Sequence, residues 1–171
     1  PFLILCDHAT NIVPACVNKG DLGIAPADMQ RHIAFDIGGL GTSKKLADNL
    51  NATLVSSCFS RLVIDPNRGE DDPTILMKIY DGTIIPGNRH ADDVERERRL
   101  NKFYRPYHNQ ISAQIERIQK RGQTPAIISM HSYTPQLRNR PPRPWHVGIL
   151  WDQDARIPVP LMEILNRNPD I

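Results

Sequence analysis

Apolar residues fall along this chain in short blocks divided by polar turns, and the blocks follow two different periods. Phe2–Cys6 is an unbroken apolar run with polar neighbours, the pattern of a strand buried on both faces. Residues 36–50 repeat at helical spacing, with Leu40, Leu46, Ala47 and Leu50 on one face. Thr53–Ser56 and residues 62–65 read as two further strands, the second running into the turn Asp65-Pro66-Asn67-Arg68-Gly69. Residues 70–90 carry Asp81-Gly82 and Pro86-Gly87 and read as a long loop, a length that often marks a functional segment. The clearest helix is 92–122, where Leu100, Phe103, Tyr104, Tyr107, Ile111, Ile115 and Ile118 recur at steps of three and four. Asp92 or Asp93 can cap its start, Gly122 can end it, and Pro106 should kink or split it. Residues 126–130 and 146–151 read as strands, and 158–166 as a last helix.

Strands alternating with helices, with both sheet faces covered, predict a three-layer α/β/α domain. The 171 residues, 40% of them hydrophobic, suffice for one domain with its own core. The Pro/Arg-rich stretch 137–144 reads as a surface loop rather than a linker. A net charge of +2 without basic stripes or interleaved aromatics argues against nucleic acid as a partner. No apolar run approaches the ~20 residues of a membrane span. Cys6, Cys16 and Cys58 are odd in number and lack metal-ribbon spacing, so a reducing, cytoplasmic compartment is expected. The native polypeptide is expected to continue beyond Ile171, and the sequence gives no oligomeric state.

In an open α/β sheet, ligands collect at the carboxyl ends of the strands. His8 follows the first strand, and His131-Ser132-Tyr133 follows the strand at 126–130. Two imidazoles leaving buried strands suit a catalytic zinc, which takes three protein ligands and keeps one position open. Asp36 is the candidate carboxylate, with helix capping as its competing role. Arg61, Asn67 and Arg68 form a second group, since guanidinium and amide donors match a carboxylate. Taken alone, an Asn-Arg pair fits a surface turn equally well. Cys6 is a poor nucleophile inside an apolar strand, and Ser129 and Ser132 lack a nucleophile-elbow context.

Six stretches in order carry a resemblance. They are Cys6-Asp7-His8-Ala9-Thr10-Asn11, His32-Ile33-Ala34-Phe35-Asp36-Ile37-Gly38, Ser60-Arg61-Leu62-Val63-Ile64-Asp65-Pro66-Asn67-Arg68, Pro86-Gly87-Asn88, Pro106-Tyr107-His108 and Met130-His131-Ser132-Tyr133-Thr134-Pro135. Together they resemble the N-formylglutamate amidohydrolase family, over a single hydrolase domain at 1–171. The resemblance implies a phosphorylase/hydrolase-like fold with a mixed, mostly parallel central sheet, similar to zinc carboxypeptidases and aspartoacylases. It implies zinc held by two histidines and a carboxylate, with His8 and His131 in the histidine positions and either Asp36 or a different residue as the third ligand, and with Arg61 supporting the scissile carbonyl. Asn67 and Arg68 would hold a substrate carboxylate, and Asn11 and Ser132 would line the substrate site. The wider group often has a Glu three residues after its first ligand histidine, where this chain has Asn11. The general base is expected beyond Ile171.

The expected activity is metal-dependent hydrolysis of N-formyl-L-glutamate to formate and L-glutamate, with the 70–90 loop closing over the site. One alternative is a metallo-amidase or carboxypeptidase acting on another peptide-like substrate. Another is a carboxylate-binding protein without catalysis.

Overall fold

The computed structural model describes residues 1–169. The chain forms two compact units, Pro1–Thr134 and Pro135–Ile171.

In the first unit, β1 (Phe2–Cys6) lies between β2 (Thr53–Ser56) and β5 (Ala126–Ser129) in a parallel sheet. Ile4 pairs with Leu54 on one side and with Ile128 on the other. β1 is buried on both faces, which explains its unbroken apolar run, whereas β2 and β5 keep partly exposed residues. Because the three strands are parallel, their carboxyl ends share one edge, and His8 and His131 both emerge there.

Helix α1 (Gly39–Leu50) packs on β1 and β2 and starts three residues later than the periodicity predicts. Gly38, at φ 78°, forms its N-cap in a left-handed conformation that glycine adopts without strain. Its buried positions are Gly39, Ser43 and Ala47, a row of small residues four apart that lets the helix approach the sheet closely.

The predicted strand at 62–65 is absent. This segment turns on itself, with the Val63 amide donating to Ser60, yet Leu62, Val63 and Ile64 are fully buried. Buried carbonyls without a ladder need other donors. Asn88 Nδ2 donates to Leu62 O and to Met77 O, both at 2.8 Å. Arg99 Nη1 donates to Val63 O at 2.8 Å and to Asn88 Oδ1 at 2.7 Å. Local apolar content resembles a strand, but distant side chains satisfy the backbone.

The 70–90 segment is likewise not a free lid. Ile75, Leu76, Met77 and Ile85 join the main core with Phe59, Ile64, Leu100 and Phe103. Between them, β3 (Ile79–Tyr80) and β4 (Thr83–Ile84) form a short antiparallel hairpin across Asp81-Gly82. Within residues 70–90 only the hairpin presents large apolar side chains, Ile79 and Ile84, to solvent.

The long helix is divided. Asp92 caps α2 (Asp93–Arg99) by accepting the Glu95 amide at 2.9 Å. A π-helical turn, Leu100–Tyr104, joins it to α3 (Arg105–Gln119). Pro106 has no amide to donate, and the wider turn before it accommodates that loss at the start of α3. Gly122 closes the end at φ 71°.

In the second unit, the Arg143 amide donates to Pro135 O and Gln136 Nε2 donates to Arg140 O, so the Pro/Arg-rich loop folds back on itself. Helix α4 (Pro158–Leu165) follows. The strand predicted at 146–151 is absent. That stretch has no ladder partner among the described residues, and Leu150 is 98% exposed. The chain end at Ile171, beyond which the base is expected, lies outside the described residues. Among the described residues no helix is long and apolar enough to cross a membrane.

Candidate metal centre

Three elements deliver the site. His8 follows β1, Asp36 precedes α1, and His131 follows β5. The Asp36 amide donates to His8 O at 2.9 Å, so backbone pairing sets these two residues side by side. One ligand atom from each of His8, Asp36 and His131 lies within 4.8 Å of the other two. The two imidazole centroids are 5.0 Å apart.

Asp36 does not cap α1, because that helix has no side-chain cap. Its Oδ2 lies 2.8 Å from His131 Nδ1 and accepts the Ser132 amide at 3.2 Å. Its Oδ1 lies 3.4 Å from His8 Nδ1 and 3.7 Å from Arg61 Nη1. Asp65 stands behind His8, with Oδ1 2.7 Å from Nε2, and its Oδ2 accepts Arg61 Nη2 at 2.8 Å. Asp7 stands behind His131, 3.2 Å from Nε2.

The electrostatics follow from burial. Burial pushes the Asp36 carboxyl up, but His131 and His8 outweigh it and hold the group well below the usual carboxylate range. Burial opposes ionisation of Asp7 as well, yet His131, Tyr107 and Ser129 bring it to about 2. Asp65 is lowered in the same way by His8 and Arg61. Bonds to Asp36 and Asp7 push His131 up to about 9. Burial works against charge on His8, but Asp36 and Asp65 raise it overall. Tyr107 is pushed far up by burial and by Asp7, so its hydroxyl keeps its proton.

This donor set fits a divalent cation. His8 is 1% exposed, and its Nδ1, which faces Asp36, has no hydrogen-bond partner. A buried nitrogen without a partner is costly unless something else uses its lone pair. The charge agrees, since three buried carboxylates, Asp7, Asp36 and Asp65, surround the two histidines with one guanidinium, Arg61, paired to Asp65 and near Asp36. Without a cation, His131, pushed up to about 9, carries part of the balancing charge. As metal ligands both imidazoles would be neutral, and the two negative charges then left over are what a divalent cation matches. Two histidines and one carboxylate are a known catalytic zinc ligand set.

Of the other sequence candidates, Arg61 is at the site, paired with Asp65 and with its guanidinium carbon 5.2 Å from the Tyr80 ring centre. Ser132 meets Asp36 through its backbone amide. Asn11 donates its side-chain amide to Met29 O at 2.9 Å, tying its loop to the 28–30 turn. Asn67 and Arg68 are exposed on the turn after Asp65, with Arg68 Nη1 3.5 Å from Asp72. The π-helical turn and the start of α3 secure that turn, since Tyr104 donates to Arg68 O at 2.7 Å and His108 Nε2 lies 3.0 Å from Pro66 O. His108 is therefore half-buried against the turn.

Sequence reasoning missed Asp7, Asp65, Ser129 and Tyr107. Asp7 adjoins His8, Asp65 is four residues after Arg61, and Ser129 is two before His131, so local spacing held a signal for three of them. Tyr107 meets Asp7 across 100 residues and looked like one more apolar helix position.

A family model for N-formylglutamate amidohydrolase matches residues 1–170. An N-formylglutamate deformylase from Pseudomonas putida is 28% identical over 96 residues, covering 50% of this chain and 36% of that protein. A crystal structure of a gene product from Agrobacterium tumefaciens superimposes with a TM-score of 0.88 at 33% identity, covering 95% of this chain and 63% of that one. The chain thus spans less than two thirds of either relative's length. A match across nearly every residue, on a parallel α/β sheet with His8, Asp36 and His131 gathered at one edge, places this chain in the N-formylglutamate amidohydrolase family.

Proposed function

We propose that this chain carries the centre of a metal-dependent amide hydrolase for small acidic N-acyl amino acids. The foremost substrate is N-formyl-L-glutamate, which reacts with water to give formate and L-glutamate. The observation that carries this reading is the buried, partnerless Nδ1 of His8 facing Asp36, with His131 completing the set. The family membership and the likeness to the Pseudomonas putida N-formylglutamate deformylase support the amide and the formyl group.

His8, Asp36 and His131 would hold zinc or a similar divalent cation. Such a cation polarises the acyl oxygen and makes water acidic enough to attack near neutral pH. The chain's own groups do the rest. Asp65 fixes the His8 ring from behind. Arg61 brings positive charge beside Asp36 and Asp65, where it stabilises charge developing on the acyl oxygen. Asn67 and Arg68 supply donors for a substrate carboxylate, which would compete with Asp72 for the guanidinium. Ser132 and Asn11 line the approach. Water adds to the formyl carbon, the C–N bond breaks, and a proton passes to the departing amine. Three free thiols suit a reducing compartment such as the cytoplasm.

The test is formate release from N-formyl-L-glutamate by zinc-loaded protein, stopped by a chelator and restored by added zinc. Bound zinc with no formate release would move the substrate to other acyl-amino acids or peptides. Failure to bind zinc would remove the metal-dependent reading and favour a carboxylate binder.

A further inference from the structure

Asp7 is buried next to the site but has no part in the chemistry above. Its Oδ1 accepts the Tyr107 hydroxyl at 2.5 Å. Its Oδ2 accepts the Ser129 hydroxyl at 2.8 Å and lies 3.2 Å from His131 Nε2. These groups come from separate elements. Asp7 follows β1, Ser129 ends β5, and Tyr107 lies on α3 just after the π-helical turn. The sheet sets Asp7 and Ser129 at the same edge, and the helix brings in Tyr107.

An imidazole offers a cation only one nitrogen, and the hydrogen-bond partner of the other nitrogen decides which. Asp65 holds Nε2 of His8, and that leaves Nδ1 facing Asp36. Asp7 stands behind His131 on the corresponding side, 3.2 Å from Nε2, with the Ser129 hydroxyl that it accepts also 3.2 Å from that nitrogen, and Nδ1 is the nitrogen near Asp36. Both rings therefore present Nδ1 inward and have a buried carboxylate behind Nε2. Asp7 could not do this from an exposed, freely rotating side chain, and Tyr107 and Ser129 remove that freedom by engaging one oxygen each.

We propose, on the basis of the metal-dependent reading above, that Asp7 is the positioning residue for His131. Anchored by Tyr107 and Ser129, it keeps the hydrogen on Nε2 and aims Nδ1 at the space shared with His8 and Asp36. It acts through His131 and does not touch the substrate.

The experiment uses the whole chain, with zinc alone as the probe. Zinc affinity is measured by chelator competition for the wild type, Asp7→Asn, Tyr107→Phe and Tyr104→Phe. Nitrogen NMR of labelled histidine identifies which ring nitrogen of His131 meets the metal. Asp7→Asn should weaken zinc about 10- to 100-fold, the usual effect of losing such a support. Tyr107→Phe should weaken it by a smaller factor. Tyr104→Phe removes a hydroxyl from the adjoining π-helical turn, one bonded to Arg68 instead, and should leave zinc affinity unchanged. His131 should meet zinc through Nδ1. Wild-type affinity in Asp7→Asn, coordination through Nε2, or equal losses in Tyr104→Phe and Tyr107→Phe would each overturn the proposal. A wild type that takes no zinc would instead remove the metal-dependent reading, and this inference with it.

Discussion

Asp65 lies 2.7 Å from His8 Nε2, and both side chains are at least 98% buried. The second oxygen of Asp65 takes Arg61 Nη2 at 2.8 Å, so one carboxylate fixes a candidate ligand and a candidate catalytic cation together. Neither partner can turn to water for compensation. Asp65→Asn should weaken zinc binding about 10- to 100-fold, as measured by chelator competition. Unchanged affinity would show that His8 is held by other means.

Arg61→Lys keeps a positive charge but loses the guanidinium fork. It should lower kcat on N-formyl-L-glutamate by roughly 10²–10³ with little change in KM, the usual effect of a lost oxyanion donor. A rise in KM at constant kcat would reassign Arg61 to substrate binding.

Arg68→Ala should do the opposite. A hydrogen bond between charged groups contributes about 1.5–3 kcal/mol, so KM should rise roughly tenfold or more. The preference for N-formyl-L-glutamate over an uncharged N-formyl amino acid should fall with it. Equal kinetics on both substrates before and after the change would remove the carboxylate grip.

Asn88 is fully buried and its side chain makes three hydrogen bonds, to Leu62, Met77 and Arg99. Asn88→Ala leaves two carbonyls and part of a buried guanidinium unsatisfied. At about 1–3 kcal/mol for each unsatisfied group, the loss should reach roughly 3 kcal/mol in urea unfolding. A loss under about 1 kcal/mol would mean that the 62–65 segment is held by apolar packing alone.

Glu95 links Arg98 to the buried Arg99. Bonds from Arg98 and then Arg99, against the cost of burial, lower it from 4.5 to about 2. The unfolded chain therefore binds its proton first as pH falls. The stability that Glu95 contributes is complete above the unfolded value and is lost as pH falls through about 2. Urea midpoints between pH 5 and 2 should decline less in Glu95→Gln than in the wild type. Parallel declines would show that Glu95 contributes no pH dependence.

The sequence was most legible where local pattern and tertiary role coincide. The strand at Phe2–Cys6 and the Asp92 cap needed no distant partner to be read, and Pro106 marked the break in the long helix. His8, Asp36 and His131 were legible because parallel strands deliver their ends to one edge. Residues 62–65 were misread because their apolar run is the same in a strand and in a buried turn. What separates the two is Asn88 and Arg99, far along the chain. The 70–90 segment was misread for a related reason, since turn residues punctuate it while Ile75, Met77 and Ile85 anchor it in the core. Tyr107 was hidden by its own helix, where one hydroxyl among apolar positions signals nothing until Asp7 stands opposite.

The central claim is that His8, Asp36 and His131 hold a divalent cation that serves amide hydrolysis. Elemental analysis of the purified chain, paired with a formate assay on the same sample, tests it most directly. The account predicts one zinc-like ion per chain, lost in His8→Ala and His131→Ala, with formate release that a chelator abolishes and zinc restores. Formate release that persists without bound metal, or wild-type metal content in both histidine variants, would contradict it.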